Sequence, residues 1–410
     1  MNKRILIVAH GHPSVHKGGA EIAAFDLYKE YERQGFDVKF MARSAESPHG
    51  GAAFSTRKTD KEILFHTTHD DFFLFSNLKS RYVWQEFRDF LTRFKPDVVH
   101  FHHYYLLGIE TIMEVKNTLP DCKIVLTLHE YLAICNNKGL MIKTTDNRLC
   151  YTANPKDCHL CFPEHSPADF FMREKYIKRN LQAVDHFIAP SHFLKQRYVQ
   201  WGLSADSVSV IENGQSGGSI PIVDLSVKQM PRTRFAFFGQ INEFKGVDVL
   251  LEAISLVPKS LRTKMSIDIH GANLTLQSKE FIKKVTSLIK RHAKHVTFHG
   301  AYESEELPKL MADIDWLVVP SVWWENSPLV IQEAFNHKVP VIVSDIGGMA
   351  EKVEHGVNGL HFRAGKASSL AESMSQILDD SVLPQVNYVG NIQAPLTIEQ
   401  TAHLTLGIYQ

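Results

Sequence analysis

The sequence lacks any long apolar run: across its 410 residues, no stretch extends to the roughly 18 to 20 apolar residues that a helix needs to cross a bilayer. The N-terminus has an apolar stretch of only a few residues, followed by histidines, whereas a secretory signal requires a longer apolar region and a small-residue cleavage site. We therefore interpret this stretch as a first β-strand and expect a cytoplasmic protein.

Net charge is also absent. The 45 Lys and Arg residues balance the 45 Asp and Glu residues, so no overall basic field attracts a nucleic acid, and we predict none as a partner. A hydrophobic content of 44% with 22% charged residues is typical of a soluble globular protein. The chain is too long for one ordinary core, which predicts two domains.

Cysteine is scarce, and the odd count of five fits a reducing compartment better than a disulfide scaffold. Four of the five are clustered: Cys135, Cys150, Cys158 and Cys161. The closing Cys-x2-Cys pair is typical of half a tetrahedral zinc site, so these four are a candidate structural zinc site in a segment with little core of its own. Because the first spacing is loose for a zinc ribbon, free or redox-labile thiols and disulfides stay open as alternatives.

What the sequence does contain is a repeated alternation of short apolar runs and helical patterns. Runs that are apolar on both faces indicate buried parallel strands. These runs are 4–10, 37–43, 97–103, 123–129, 186–191 and 208–213 in the first half, then 234–240, 266–271, 296–300, 316–321, 340–345 and 359–362. Two consecutive arrays of this kind predict an α/β protein with two Rossmann-like, doubly wound domains.

The predicted boundaries follow from a polar segment that contains Gly and Pro. We place an N-terminal domain at 1–215, a linker at 216–233, a C-terminal domain at 234–390 and a helix at 391–410 that packs back on the first domain. Two stretches interrupt the alternation: 44–77, and a cysteine-containing excursion at 135–165. Ligands of doubly wound sheets bind beyond the carboxyl ends of the strands, so we expect the site in the cleft between the domains.

One segment, WWENSPLVIQEAF at 323–335, combines two carboxylates with a helix start. Ser327 is a suitable N-cap and Pro328 suits the first helical position, which predicts a helix beginning there. Glu325 then lies in the preceding loop and Glu333 about 80° further round the helix, so the two face different parts of a ligand. The helix N-terminus offers N–H groups to an anion, a layout that suits a sugar nucleotide. On spacing alone, a solvated loop residue and a surface helix charge are the simpler interpretation.

The surrounding residues favour the ligand-binding interpretation instead, because they resemble the retaining glycosyltransferase family 4. Members of that family have the glycosyltransferase-B fold. The similar motifs cover most of the chain: GGAE at 18–21, PDVVHFHH at 96–103, TLHEY at 127–131, APSHFLKQ at 189–196, VIENG at 210–214, FFGQINEFKGVDVLLEAI at 237–254, VTFHG at 296–300, and the segment at 325–335 followed by PVIVSDIGGMAEKVEHGVNGLHF.

The resemblance implies retaining, metal-independent transfer of a sugar without a required cofactor. The donor would be a nucleotide sugar, with UDP or GDP as the expected nucleotide, and the acceptor a saccharide or a lipid-linked molecule in surface polysaccharide or glycoconjugate biosynthesis. The alternative from another class is a non-catalytic nucleotide-sugar-binding or scaffolding protein of the same fold.

The resemblance also implies roles for individual residues of the C-terminal half. Glu325 would contact the donor sugar, Glu333 the ribose hydroxyls, and Lys245 the leaving diphosphate. Backbone groups that bind sugar and phosphate would come from Asn326, Ser327, Pro328 and Leu329. The family commonly has an arginine directly after the glycine equivalent to Gly239, but this chain has Gln240. One cation of the usual phosphate site is therefore missing.

In the N-terminal half, Gly18 and Gly19 follow the first strand, where glycines allow a backbone to approach a ligand closely. By resemblance this loop lines the donor site and His129 faces the transferred sugar as a candidate catalytic residue. His100, His102 and His103 have metal-like spacing, but they alternate along a strand without an acidic partner nearby, so we predict no metal there.

Residues 170–180 are basic, with aromatic residues at helical spacing. They predict an amphipathic helix packed on the core with a solvated basic face. The alternative is contact with an anionic membrane surface or a lipid-diphosphate acceptor, which makes peripheral association with the inner membrane face a second expectation.

Overall fold

A computed structural model of the chain describes residues 3–15, 18–45, 51–67, 71–77, 81–216, 233–379 and 387–410. The chain divides into two compact units, one formed by 1–216 together with 396–410 and the other by 217–395. Most of the predicted linker, at 217–232, lies outside the described residues, as do parts of the 44–77 stretch.

The first unit contains an eight-stranded sheet in the order β3-β4-β2-β1-β5-β6-β7-β8, in which only β3 and β4 pair antiparallel. Its strands are β1 Arg4–Ala9, β2 Asp37–Ser44, β3 Phe54–Thr56, β4 Glu62–His66, β5 Val98–Phe101, β6 Lys123–Thr127, β7 His186–Ala189 and β8 Val208–Val210. β1, β5 and β6 are almost fully buried, as continuous apolar runs in a parallel sheet require.

The second unit contains a six-stranded, fully parallel sheet in the order β11-β10-β9-β12-β13-β14. Its strands are β9 Arg234–Phe238, β10 Ser266–His270, β11 Val296–Gly300, β12 Trp316–Val319, β13 Val341–Ser344 and β14 Gly359–Phe362. Alternate side chains of β9 enter two different apolar cores: Phe235 and Phe237 pack on one face of the sheet, Ala236 and Phe238 on the other.

Helices connect the strands in both units. They are α1 Gly19–Arg33, α2 Arg81–Phe94, α3 Glu110–Thr118, α4 Pro155–Cys161, α5 Pro167–Leu181, α6 His192–Trp201, α7 Val247–Leu256, α8 Lys259–Arg262, α9 Lys279–Arg291, α10 Leu307–Ala312, α11 Leu329–Asn336, α12 Gly347–Lys352, α13 Ala367–Leu378, α14 Tyr388–Asn391 and α15 Ile398–Tyr409. Within the first unit α15 packs beside α1, where the Tyr31 hydroxyl donates to the Ala402 carbonyl at 3.2 Å.

The strand orders locate a switch point in each sheet. The chain moves from β1 to β2 on one side and later to β5 on the other, and it moves from β9 to β10 and later to β12 in the same way. Ligands of doubly wound folds bind where the strand order reverses, beyond the carboxyl ends of the strands. Residues that follow β1 and β5, or β9 and β12, are therefore the first candidates for a site in each unit.

The predicted fold class, an α/β protein with two doubly wound sheets, is confirmed, and each predicted strand is present. The strands after which candidate residues lie end earlier than predicted, at Phe101 and Thr127, and one further hydrogen bond joins each end to its neighbour, from the His102 N–H to the Val8 carbonyl and from the Leu128 N–H to the Ile188 carbonyl, both at 2.8 Å. β3 and β4 were not anticipated within 44–77, since β3 is a three-residue edge strand that carries no clear alternation.

Two glycines of the second unit have similar backbone conformations but different surroundings. Gly246 (φ +68°) precedes α7, and a Cβ there would clash with the Pro320 carbonyl. Gly356 (φ +79°) has open space where its Cβ would lie. Gly356→Ala should cost about 1–2 kcal/mol of unfolding free energy from the left-handed backbone alone. Gly246→Ala should cost about 3 kcal/mol or more, because overpacking is added. Urea unfolding of both variants measures the difference, and equal losses would contradict a steric role for Gly246.

Candidate active site

In the second unit, the loop after β9 is shaped to present Lys245. Gly239 follows the strand with φ +138°. The Asn242 side-chain oxygen then accepts from the N–H groups of Phe244 and Lys245, both at 3.0 Å, which closes an Asx turn. Gly246 allows the next backbone step to pass against Pro320. The position of Lys245 is therefore fixed at the switch point of this sheet.

Glu325 lies in the loop after β12, and it is only 7% exposed. Its Oε1 accepts three hydrogen bonds, from Lys245 Nζ at 2.6 Å, Ser321 Oγ at 2.8 Å and Trp323 Nε1 at 2.9 Å. These three donors replace the water that burial removes from the carboxylate. Lys245 and Glu325, which by resemblance serve different parts of a donor, are thus in direct contact in the protein alone.

The backbone around Glu325 is held by the start of α12. The Glu325 carbonyl accepts from the Gly348 N–H at 2.7 Å, and a Cβ on Gly348 would clash with the Asn326 carbonyl. This contact keeps the chain extended through Pro328, whose ψ is 116°. The prediction that Ser327 caps the helix and Pro328 begins it is therefore wrong: α11 begins at Leu329 and receives no side-chain cap.

Ser327 has a different environment from that of a helix cap. Its Oγ is buried, and the part of the chain that the structure describes supplies it with no hydrogen-bond partner. Beside it, the Ile331 N–H of the first turn of α11 donates to the Pro328 carbonyl at 3.1 Å, whereas the N–H groups of Leu329 and Val330 have no acceptor within the helix. These groups together form a set of donors that a ligand oxygen can satisfy.

Glu333, on α11, differs from Glu325 because it has no internal partner. It is partly buried, and no donor among the described residues contacts its carboxylate. Burial raises the pKa of Glu333 to about 7. Tyr302 is near enough that burial and the Glu333 charge both raise the pKa of its hydroxyl. Within the described residues, Glu333 is therefore an acceptor without a donor, and an external donor can satisfy it.

The raised pKa makes the protein's stability depend on pH through Glu333. The pKa of Glu333 is about 7 in the folded chain, against an ordinary value of 4.5 for a glutamate, so its ionisation opposes folding. This effect is absent below about pH 4.5 and complete above about pH 7. Glu333→Gln should therefore stabilise the ligand-free protein by up to about 3 kcal/mol at pH 8 and by little at pH 5.

The matched control for this prediction is Glu372→Gln, which removes the same charge from an exposed position on α13. Thermal unfolding of both variants between pH 5 and pH 8 provides the measurement. A Glu333→Gln gain that is the same at both pH values would contradict a buried, partner-free carboxylate.

In the first unit, paired carboxylates and histidines lie beyond β1, β5 and β6. Glu21, in the first turn of α1, contacts His10 at 3.0 Å (Oε1 to Nε2). A Cβ on Gly18 would clash with the Glu21 carboxylate, so the glycine gives this side chain its space. Gly19 begins α1. The roles of Gly18 and Gly19 toward a ligand remain predictions.

The second pair joins His103 and Glu130 at 2.9 Å, from Nε2 to Oε2. His103 Nδ1 accepts from the Tyr105 N–H at 3.0 Å, which assigns the ring proton to Nε2. Burial alone would raise the pKa of Glu130, but His103, His129 and His10 outweigh burial and lower it. The argument that these histidines have no acidic partner nearby is therefore wrong for His103, because Glu130 reaches it from the neighbouring strand.

His129, the candidate catalytic histidine, contacts His102 at 3.1 Å, from Nε2 to Nδ1. Burial lowers the pKa of His129 to about 4, so the ring is neutral at physiological pH. His100 is bound within the core, to Thr127 Oγ1 and to the Tyr409 hydroxyl, both at 2.7 Å. His100 therefore ties β5 to α15 and is separate from the groups at the strand ends.

The four clustered cysteines, Cys135, Cys150, Cys158 and Cys161, are free and partly buried. Burial raises the pKa of Cys135 to about 11, and burial together with the neighbouring cysteines raises that of Cys158 to about 12. Across the described ranges, no three His, Cys, Asp or Glu side chains are grouped as metal ligands. Zinc binding stays a prediction from the spacing alone.

The basic segment at 170–180 lies on α5, and its two faces differ. Phe170 and Ile177 are buried, and Arg173 is buried too, donating to the carbonyls of Phe73, Leu132 and Ala133. Phe171 and Met172 are 50% and 61% exposed on the other side. In the described part of the chain, no helix has both the length and the apolar character to cross a membrane.

Comparison with known proteins supports one family over both units. The family model described as Glycosyltransferase Family 4 matches residues 17–215, and the one described as Glycosyl transferases group 1 matches residues 232–380. The lipopolysaccharide 1,2-N-acetylglucosaminetransferase of Salmonella typhimurium is 27% identical over 210 residues, which are 49% of this chain and 51% of that protein. The chain spans between about a third and about half of the length of the curated relatives that it matches.

Solved structures share the fold over nearly the whole chain. A glycosyltransferase from Rickettsia africae has 18% identity and a TM-score of 0.70, with 100% of this chain and 98% of that chain covered. The Anabaena protein HepE, crystallised with UDP and glucose, has 18% identity and a TM-score of 0.64, with 99% of each chain covered. At these identities the likeness concerns the fold.

Proposed function

The chain belongs to the family 4, group 1 glycosyltransferases and has their glycosyltransferase-B fold, and we propose that it is a retaining glycosyltransferase that uses a nucleotide sugar. The observation that carries this proposal is the hydrogen-bonded cluster of Glu325, Lys245, Ser321 and Trp323 after β9 and β12, followed in the chain by the buried Glu333 on α11. These residues offer carboxylate acceptors for the hydroxyls at the two ends of a nucleotide sugar, and donors for the phosphates in its middle.

Each part of the donor has a matching group in the second unit. The Glu333 carboxylate accepts from the ribose hydroxyls, which supply the donors that the protein lacks. The buried Ser327 Oγ and the first N–H groups of α11 bind the diphosphate, and Lys245 compensates the charge that develops on it as it leaves. Glu325 accepts from hydroxyls of the sugar. UDP is the expected nucleotide, given the ligand of the HepE structure.

The transfer itself needs no covalent intermediate. The acceptor oxygen attacks the anomeric carbon from the face that the diphosphate leaves, so that the new glycosidic bond forms as the bond to the phosphate oxygen breaks. The acceptor's proton passes to the departing phosphate oxygen. Lys245 and backbone N–H groups stabilise this oxygen in the role that a metal ion has in other transferases, which makes the proposed reaction metal-independent.

The proposed phosphate site carries little positive charge for binding a diphosphate. Gln240, where relatives commonly have arginine, is exposed, and Lys245 already faces Glu325. Phosphate binding therefore depends on Lys245 and N–H groups together. This departure is also the observation that favours the second candidate, a nucleotide-sugar-binding protein without turnover.

For the acceptor, we propose a saccharide or lipid-linked molecule in the synthesis of surface polysaccharide. Support comes from the lipopolysaccharide enzyme among the relatives. Exposed Phe171 and Met172, next to Lys175 and Arg179 on α5, suit contact with an anionic membrane surface.

The experiment that tests this function is a thermal-shift screen with UDP-, GDP-, ADP- and CMP-sugars. We expect a rise in melting temperature with UDP-sugars, because a ligand of the native state stabilises it.

Lys245→Met should weaken binding of the UDP-sugar by about 10-fold or more, through loss of a charge-assisted contact. A shift without turnover on any acceptor would favour the non-catalytic candidate, and no shift with any nucleotide sugar would count against both.

The direct Lys245–Glu325 contact leads to a sharper prediction. In Glu325→Gln the amide oxygen still accepts from Ser321 and Trp323, but Lys245 no longer faces a negative charge. Affinity for UDP alone should therefore rise several-fold, up to about 10-fold, while transfer slows by about 100-fold or more because the sugar loses its acceptor. Isothermal titration with UDP and a turnover assay separate the two effects. A Glu325→Gln variant that binds UDP more weakly than the wild type would contradict competition for Lys245.

A further inference from the structure

We propose that Glu130, held by His103, is an acceptor-binding residue that accepts a hydrogen bond from a hydroxyl of an uncharged sugar, with Tyr105 and Phe72 packing against the sugar's ring. This inference rests on the proposed glycosyl transfer and adds the acceptor's chemical class. It assigns a function to residues that the sequence motifs did not identify as parts of a site.

Topology brings the groups together. β1, β5 and β6 are neighbours in the first sheet and run parallel. His10, His103 and Glu130 each follow one of these strands, so they meet at the same edge of the sheet. The rings of His10 and His103 are 4.1 Å apart, which places the Glu21–His10 pair directly against the His103–Glu130 pair.

The hydrogen bonds of His103 leave Glu130 as the group that faces a ligand. Both ring nitrogens of His103 are used, one by the Tyr105 N–H and one by Glu130, so the ring can neither take up a substrate proton nor bind a substrate hydroxyl without losing a partner. The His103 side chain is 4% exposed, whereas that of Glu130 is 30% exposed. His103 is thus a positioning residue behind an accessible carboxylate, whose Oε2 it holds.

An aromatic surface lies beside this carboxylate. The Tyr105 ring is 5.8 Å from His103 and 6.1 Å from His10, and the Phe72 ring is 6.3 Å from Tyr105. Phe72 is 59% exposed although its turn is anchored, because Asp71 Oδ1 accepts from the N–H groups of Phe73 and Leu74 at 2.8 and 2.9 Å. The negative face of an aromatic ring attracts the polarised C–H groups of a pyranose.

Charge at this edge favours a neutral ligand. Glu130 is surrounded by the titratable groups of three histidines and three tyrosines, and Glu21 lies behind the histidines: His10, His103, His129, Tyr104, Tyr105 and Tyr198. The ring of His129 is neutral and burial lowers the pKa of His10, so the two carboxylates are not fully offset. Arg43 is the cation close enough to act on Tyr105. A uronate carboxylate would meet Glu130 with like charge, whereas a hydroxyl would donate to it.

The probes are methyl glycosides of glucose, mannose and galactose, with methyl β-D-glucuronide as the anionic counterpart of the glucoside. Saturation-transfer NMR with the UDP-loaded full chain should detect at least one neutral glycoside and the glucuronide at least 5-fold more weakly. Glu130→Gln should weaken glycoside binding about 10-fold, because the amide keeps the His103 bond and loses the charged acceptor. Phe72→Ala, at an exposed position, should also weaken it without affecting the fold.

Two variants of His103 distinguish a positioning role toward Glu130 from a purely structural role. His103→Leu should lose glycoside binding, and His103→Gln, whose amide can still donate to Glu130, should regain most of it. Glu164→Gln, at an exposed position of the same unit, is the matched control and should bind as the wild type does.

UDP binding separates this proposal from the proposed function. All variants should keep the UDP-induced thermal shift of the wild type, and absence of that shift in the wild type would contradict donor binding itself. With the shift intact, wild-type-like glycoside binding by Glu130→Gln, stronger binding of the glucuronide, or no binding of any neutral glycoside to the wild type would each overturn the acceptor assignment.

Discussion

The contact between Lys245 and Glu325 is the interaction on which the second unit's site depends. It joins the loops after β9 and β12, the two strands on either side of the switch point, through a carboxylate that is 7% exposed. Removing one partner of a buried pair leaves an uncompensated charge, at a cost of about 3–5 kcal/mol. Glycines explain how the chain segments come this close: a Cβ at Gly246, after β9, would clash with the Pro320 carbonyl after β12, and a Cβ at Gly348, in α12, would clash with the Asn326 carbonyl. The Lys245–Glu325 contact therefore depends on the glycines that permit this close approach.

The two units use carboxylates in two different ways. Glu325, Glu21 and Glu130 are each paired with a cation or a histidine, which fixes the direction of the carboxylate. Glu333 has neither, and its raised pKa expresses the cost of burial without donors. A paired carboxylate is ready to accept one more hydrogen bond, whereas an unpaired one gains most from a ligand that brings its own donors.

Sequence patterns predicted the sheets well and the site's internal contacts poorly. Strand runs depend on local apolar periodicity, so β1 and β9 could be placed from a few residues each. The start of α11 could not be placed in this way. Gly348, which is distant in sequence, contacts the backbone of Glu325 and Asn326 just before the helix, and this contact outweighs the local preference of Ser327 and Pro328 for a helix start. Glu130 was missed for the same reason: its partner His103 follows another strand, and the order of apolar runs along the chain does not show which strands are neighbours in the sheet.

Under the proposed function, Lys245 is shared between Glu325 and a phosphate, and this sharing would let the enzyme discriminate its substrate from its product. UDP alone draws Lys245 away and leaves Glu325 buried with only Ser321 and Trp323 as donors. A UDP-sugar draws Lys245 away too, but its hydroxyls replace the lost donor, and a charge-assisted hydrogen bond contributes about 1.5–3 kcal/mol. The difference corresponds to roughly 10- to 100-fold weaker retention of the product. With Gln240 in place of a second cation, the phosphate groups gain less from fixed charge, so the sugar's contact with Glu325 decides which nucleotide stays bound.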